Sequence, residues 1–289
     1  MKRIVAIVLW VLCACLPGHA QQASRLTARE VIERIKAHVN VPWSEQTVDT
    51  FKAGDPDTPV TGVAVTMMAT FDVIQRAAAA GRNLVITHEP TFYGHRDEID
   101  QLTRENDPVF KAKMDFITSH HMVVWRFHDF WHRRTPDGIL TGMVKALGWG
   151  KYQKPDAPAI FAMPETTLEA LAADIRRTLD ARTLRVVGDP SMKVSKVGLS
   201  PGFGGFETNR PLMQRDDVQV EVIGEAHEWE IVEYAADAAT ANAGKALIVI
   251  GHIPSEQAGM DECAVWLKTF VTEVPVEFVP AKQAFWMPK

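Results

Sequence analysis

Short runs of aliphatic and β-branched residues alternate along this chain with amphipathic stretches of helical spacing. Residues 83–87 are a run of the first kind, and residues 168–179 are a stretch of the second. Residues 26–39 also have helical spacing, and Thr27 with Glu30 forms a capping-box pattern near their start. This alternation is typical of α/β proteins. We therefore predict an α/β fold with mixed or mainly parallel sheets.

The same patterns place the other elements. We predict further strands at residues 60–67, 122–127, 160–163, 183–187, 196–199, 218–223 and 246–250. We predict further helices at residues 70–80, 107–119, 138–147, 229–241 and 260–272. Residues 150–159 are rich in Lys, Pro and Asp and mark the best boundary. We therefore expect two related α/β units, at residues 21–155 and 156–289.

The N-terminus has the order of features that is typical of a secretory signal peptide. Lys2 and Arg3 precede an apolar run over residues 4–16, and the small residues Gly18 and Ala20 follow. We predict a signal peptide over residues 1–20 and export, to the periplasm in a bacterium, with no stable membrane contact after cleavage. The alternatives are a buried N-terminal helix and a lipoprotein anchored near Cys13 or Cys15.

Composition limits the classes of partner and of site. Without residues 1–20 the formal net charge changes from −5 to −7, and the chain contains no basic run. This charge argues against nucleic acid as a partner. Cys263 is the only cysteine after residue 20, which leaves no internal disulfide and no thiolate-rich zinc site.

Histidines and carboxylates follow directly after three of the predicted strands. His88 and Glu89 follow residues 83–87, His132 comes shortly after residues 122–127, and His252 and Glu256 follow residues 246–250. The carboxyl ends of parallel strands form the ligand-binding edge of an open sheet. Imidazole and carboxylate together suit zinc, iron or manganese. These five residues therefore predict a divalent-metal site at the strand ends.

Other polar residues near these strand ends have less defined roles. Glu225 and His227 either face the site or begin a helix, and His95 lies in a stretch that suits a lid or a pocket rim. The glycine-rich residues 201–205 either cradle a phosphate or form a tight turn with a close backbone approach, and no helical pattern follows them directly.

Several motifs resemble the Nif-three-like dinuclear-metal family, whose members are also described as GTP cyclohydrolase I type-two-like proteins. The resemblance rests on the stretch from Leu84 to Phe92, on Phe127-His128, on Gly224-Glu225 and on Gly251-His252 with Glu256. It implies two related α/β units with the site between them, two metal ions per chain and a homo-oligomer, often a toroidal hexamer.

This chain departs from the family pattern at two positions. The family usually carries a second histidine where Glu89 stands, and an aspartate where His132 stands. We expect Glu89 to act as a bridging carboxylate and His132 as a terminal imidazole ligand. The alternative carboxylate ligand is Asp129, which lies three residues before His132.

A dinuclear site favours hydrolysis of a small-molecule substrate by a metal-activated water. His128, His95 or Glu225 would then act as general acid or base. The alternative is a non-catalytic metal-binding or scaffold protein of the cell envelope. Export argues against a literal GTP cyclohydrolase, because GTP is scarce outside the cytoplasm.

Overall fold

A computed structural model describes residues 26–288 of the chain. The predicted signal peptide lies outside the described residues. The α-helices are α1 (Ala28–His38), α2 (Phe71–Ala79), α3 (Asp100–Arg104), α4 (Pro108–Ser119), α5 (Asp129–Arg133), α6 (Gly138–Leu147), α7 (Leu168–Thr178), α8 (Gly205–Met213), α9 (Glu233–Thr240) and α10 (His252–Leu267). The strands are β1 (Phe51–Ala53), β2 (Val63–Met68), β3 (Leu84–Glu89), β4 (Val123–Arg126), β5 (Gln153–Lys154), β6 (Ala157–Thr167), β7 (Arg185–Val187), β8 (Lys193–Phe203), β9 (Val220–Glu225), β10 (Ala246–Val249) and β11 (Val276–Phe278).

The strands form two sheets, which confirms the predicted α/β class. The first sheet has the order β1-β4-β3-β2-β11, and all its pairs are parallel except β1 with β4. The second has the order β5-β6-β8-β9-β10-β7, with β8, β9 and β10 parallel at its centre. Strand β11 lies in the first sheet, although the sequence analysis places its residues in the second unit.

Local sequence accounts for the elements that carry the site. Strand β3 lies between β2 and β4, and all six of its residues are buried, which explains its continuous apolar run. Helix α1 begins with the predicted capping box, in which Thr27 and Glu30 accept each other's backbone N–H groups.

Three helical predictions differ from the structure. Helix α10 begins at His252, not at residue 260, and Pro254 fits because the first helical turn needs no N–H donor there. Helix α8 follows the glycine-rich residues 201–205, where no helix was predicted. Residues 229–241 are not one regular helix: α9 begins only at Glu233, and Glu230 before it has the non-helical angles φ −104° and ψ −106°.

Helix α10 packs between the two sheets. It contacts β2 and β11 of the first sheet, β8 and β9 of the second, and helix α6. Its residues Met260, Cys263 and Leu267 are buried in the apolar core of the first sheet. The N-terminal turn of α10 is therefore held where the two units meet.

Among the described residues, no helix has the length and apolar character needed to cross a bilayer.

Candidate metal centre

Strand β3 delivers His88 and Glu89 to the edge of the first sheet. His88 is fully buried, and its Nδ1 lies 3.1 Å from the carbonyl oxygen of Phe127. A carbonyl can only accept, so Nδ1 carries the proton and Nε2 keeps its lone pair. Burial, followed by the neighbouring His128 and His132, lowers the pKa of His88 well below its usual value. His88 is therefore neutral and has one free nitrogen, the form in which histidine binds a metal.

His128 and His132 lie four residues apart, at the N-cap and in the only full turn of α5. The Nδ1 atom of His128 lies 3.0 Å from Asp129 Oδ1, and that of His132 lies 2.9 Å from Asp137 Oδ2. These carboxylates fix the Nδ1–H tautomers, which leaves both Nε2 atoms free. Asp129 therefore holds His128 in place, and its other oxygen accepts hydrogen bonds from Thr47 and Val48.

Asp49 holds the turn that carries these two histidines. Its buried carboxylate accepts the backbone N–H groups of His128, Asp129 and Phe130 at 2.7 to 2.9 Å. These are donors that the start of helix α5 leaves free. The sequence analysis did not identify Asp49 as a site residue, because it lies far from α5 along the chain.

Helix α10 supplies His252 and Glu256, which lie one turn apart on the same face. His252 Nε2 is 3.1 Å from Glu256 Oε2 and 3.6 Å from Glu89 Oε1. His252 Nδ1 lies 2.9 Å from Glu225 Oε2, which fixes its tautomer as the other carboxylates do. The predicted His252–Glu256 pair is thus part of one cluster with the residues of β3.

The five predicted metal residues and His128 lie together. The candidate ligand atoms of His88, His128 and His132 lie within 4.8 Å of one another, and so do those of His88, Glu89 and Glu256. Glu89 Oε1 lies between the rings of His128 and His252, 3.5 Å from His128 Nε2 and 3.6 Å from His252 Nε2. Glu89 Oε1 is therefore central among the candidate ligand atoms.

The electrostatics of the cluster favour a bound cation. His88 Nε2, His252 Nε2 and Glu256 Oε2 are buried, and none of them makes a hydrogen bond of acceptable geometry among residues 26–288, although the last two atoms lie 3.1 Å apart. Burial lowers the pKa of His252, but the surrounding Glu225, Glu256 and Glu89 outweigh burial and raise it. Buried polar atoms without partners are costly, and convergence of three at one point is unusual. A donor set of imidazole and carboxylate fits zinc, iron or manganese.

Arg126 is a further residue that the sequence analysis missed. It is fully buried at the end of β4, and its Nη2 lies 3.3 Å from Glu89 Oε2. Its Nε donates to the carbonyl of His88, and its Nη1 donates to that of His95. A charged residue within an otherwise apolar strand was the available signal. Arg126 orients Glu89 so that Oε1 faces the histidines.

The glycine-rich loop makes room for Glu256. Gly202 has a φ of +74°, and a Cβ atom there would lie 2.2 Å from Glu256 Oε1. Its N–H donates to Ser255 Oγ at 3.0 Å, which joins the loop to α10. The loop therefore has the close backbone approach considered above.

A cavity of about 790 Å³ opens beside the cluster and is lined by both units. His95 and Glu225 line it together with Glu89, His128 and His252. The His95 ring centroid lies 6.1 Å from that of His128, so His95 is near the cluster without being part of it. This volume is typical of a small-molecule pocket.

Comparison with known proteins agrees with this fold. The structure resembles the Staphylococcus aureus hypothetical protein SA1388, with a TM-score of 0.71 and 17% identity over 91% of this chain and 100% of that one. It also resembles a Bacillus cereus protein related to NIF3, with a TM-score of 0.70 and 15% identity over 92% and 100%. Reduced HcgD from Methanocaldococcus jannaschii gives 0.62 and 15% over 86% and 96%.

No curated protein matches the chain by sequence. The sequence profile of the family Duf34/NIF3 (NGG1p interacting factor 3) matches residues 26–284, nearly all of the described chain. This match confirms the resemblance that the strand-end motifs indicated. The chain belongs to the Duf34/NIF3 family.

Proposed function

We propose that this protein is a metal-dependent hydrolase that binds two divalent cations in the histidine–glutamate cluster. The observation that carries the proposal is the set of buried, unpartnered donor atoms of His88, His252 and Glu256, which converge beside a cavity. Two atoms that each lie about 2.1 Å from one ion are about 3.0 to 3.5 Å apart. The distances of 3.1 to 3.7 Å between atoms of the cluster are close to that range.

The residues divide into two sides around Glu89. His128 and His132 lie on one side, His252 and Glu256 lie on the other, and His88 lies close to both groups. Although the sequence analysis considered His128 as an acid or base, its position in the cluster favours the role of ligand. Asp129, Asp137, Glu225 and the carbonyl of Phe127 hold the histidine rings and increase their basicity.

Divalent cations bound by these residues would supply the Lewis acidity that hydrolysis needs. The chain itself supplies proton transfer and orientation. His95 is exposed at the cavity and is free of the cluster, so we assign it the role of general acid or base. Glu225 is held by His252 and acts by orienting that ring.

The metal assignment is tested by elemental analysis of the purified protein. We expect two ions per chain in the wild type and fewer in both Glu89→Ala and His132→Ala. His120→Ala, at an exposed histidine that stacks on Phe116, is the control and should keep both ions. Two ions per chain in both cluster variants would refute the assignment of Glu89 as a bridging carboxylate and of His132 as a terminal imidazole ligand.

The hydrolase assignment is tested with a panel of phosphoesters and cyclic amides. Metal-loaded wild-type protein should turn over at least one of them, and His252→Ala should lose that activity together with metal. His95→Ala should keep the metal and lose about 10² to 10⁴ in kcat. Full metal content without turnover of any substrate would favour a non-catalytic metal-binding protein instead.

A further inference from the structure

Lys113, on helix α4, is a buried cation that the proposed mechanism does not use. Its exposed fraction is 3%, and its Nζ donates to the carbonyl of Thr91 at 2.5 Å. The same Nζ lies 5.5 Å from the centre of the Phe92 ring and 5.6 Å from that of Tyr93. The ammonium group is therefore held in one place by a carbonyl and two aromatic faces.

The charge of Lys113 has no carboxylate partner in the part of the chain described. No carboxylate oxygen lies within 4.0 Å of its Nζ, although lysines are rarely this buried unless paired. The nearby Asp97 does not pair with Lys113: its Oδ1 accepts from the N–H groups of Thr91 and Phe92, and its Oδ2 lies 3.5 Å from Lys52 Nζ. Burial lowers the pKa of Lys113 to about 8, so most molecules remain protonated at pH 7.

Lys113 lines the same cavity as the cluster. Thr91, its hydrogen-bond partner, follows Glu89 by two residues, which places Nζ within about 12 Å of the Glu89 backbone. Met68, Phe71 and Phe203 supply apolar wall in the same cavity. A ligand there meets a histidine–glutamate cluster, apolar side chains and one ammonium group.

We propose that Lys113 binds an anionic group of the substrate, at a distance from the bond that reacts. The substrate class is then a small organic molecule that carries a carboxylate or phosphate in addition to the group that meets the cluster. An ammonium with two N–H groups left after Thr91 is a strong donor to either anion. This inference rests on the proposed function, since the second group must meet the loaded cluster.

The test is calorimetric binding of unreactive probes to the metal-loaded protein. The probes are dicarboxylates from succinate to adipate, monocarboxylates of the same chain length, and 3-phosphonopropionate. One carboxylate of each probe meets the cluster, and only the two-anion probes also reach Lys113. We expect wild-type protein to prefer the best two-anion probe about tenfold over its matched monocarboxylate.

The Lys113→Met variant keeps the length of the side chain and removes its charge. We expect it to lose the preference and to bind monocarboxylates as the wild type does, while Lys113→Arg retains most of the preference. Lys111→Met is the control, because Lys111 lies on the same helix but is exposed and paired with Asp115. Thermal unfolding shows that each variant is folded.

The outcomes separate this inference from the proposed function. An unchanged preference in Lys113→Met, or no preference in the wild type, overturns the role of Lys113 alone. Absence of monocarboxylate binding to every folded, metal-loaded protein overturns the proposed function, and this inference with it. Comparison of the dicarboxylates with 3-phosphonopropionate shows which anion the position favours.

Discussion

At the scale of single residues, Glu221 is a carboxyl group buried without a partner. It lies in β9 next to Leu247 of β10, it is fully buried, and neither carboxyl oxygen has a hydrogen-bond partner among the described residues. Burial raises its pKa from 4.5 to about 8. Between these values the folded chain holds a proton that the unfolded chain has released. Folding free energy therefore becomes less favourable as the pH rises from about 4.5 to 8.

Substitution of Glu221 by Gln should remove this pH dependence. At pH 4.5 the two proteins should differ little in unfolding free energy from this group. By pH 8.5 the difference should have increased in favour of Glu221→Gln by on the order of 4 kcal/mol, because one pKa unit corresponds to about 1.4 kcal/mol. Urea unfolding at both pH values measures the difference, in which contributions common to both proteins cancel. Glu165→Gln, at an exposed position, is the control. Parallel pH profiles for Glu221→Gln and the wild type would contradict the prediction.

At the scale of elements, the glycine-rich loop of residues 201–205, where β8 ends and α8 begins, is shaped by contact with α10. Gly202→Ala would place a methyl group against Glu256 Oε1 and add the strain of a positive φ. We expect the variant to fold but to lose metal held by Glu256. Elemental analysis measures this loss.

Gly205 offers a matched control for that substitution. It lies in the same loop with a φ of +66°, but the nearest atom to a Cβ there is 4.0 Å away. Gly205→Ala should therefore cost only about 1 kcal/mol of backbone strain and keep its metal. Equal metal content in the Gly202→Ala and Gly205→Ala proteins would show that the close approach to Glu256 is not needed.

The elements also show how far the sequence could predict this site. The apolar parts of β3 and β4 were predictable, but β3 continues two residues beyond the predicted end, through His88 and Glu89. The start of α10 was not predictable, because Gly251, Pro254 and Gly259 interrupt the helical pattern. The structure explains Gly259, where a Cβ would lie 2.5 Å from the backbone of Ile139 in α6. That constraint comes from a helix distant in sequence, and so no local pattern contains it.

Long-range contacts also explain the residues that were missed. Asp49 acts on α5, and Arg126 acts on Glu89 and on the loop of His95. Neither residue has a neighbour in sequence that indicates its partner. The clustering of the five candidate ligands could be predicted because each comes at or shortly after the end of a strand, whereas the residues that orient them require the tertiary structure.

At the scale of the whole molecule, the cluster joins elements from both halves of the chain. His88 lies near the end of β3 and His128 follows β4, both in the first sheet, whereas His252 and Glu256 lie on α10, which packs on both sheets. A cation bound within this cluster binds the folded chain and not the unfolded one. It should therefore stabilise the whole molecule by about 2.7 kcal/mol at a free concentration one hundred times its Kd.

This linkage predicts how calorimetry will respond to metal. Addition of zinc or manganese to EDTA-treated protein should raise Tm by about 5 to 10 °C, because 1 kcal/mol shifts a domain of this size by about 2 to 4 °C. The shift should vanish in His88→Ala, which removes the buried nitrogen at the centre of the cluster, and persist in His120→Ala. Because α10 contacts both sheets, we expect the protein to unfold in a single thermal transition, and metal should shift that whole transition to higher temperature. A metal-induced shift of equal size in His88→Ala would mean that the cations stabilise the chain from another place.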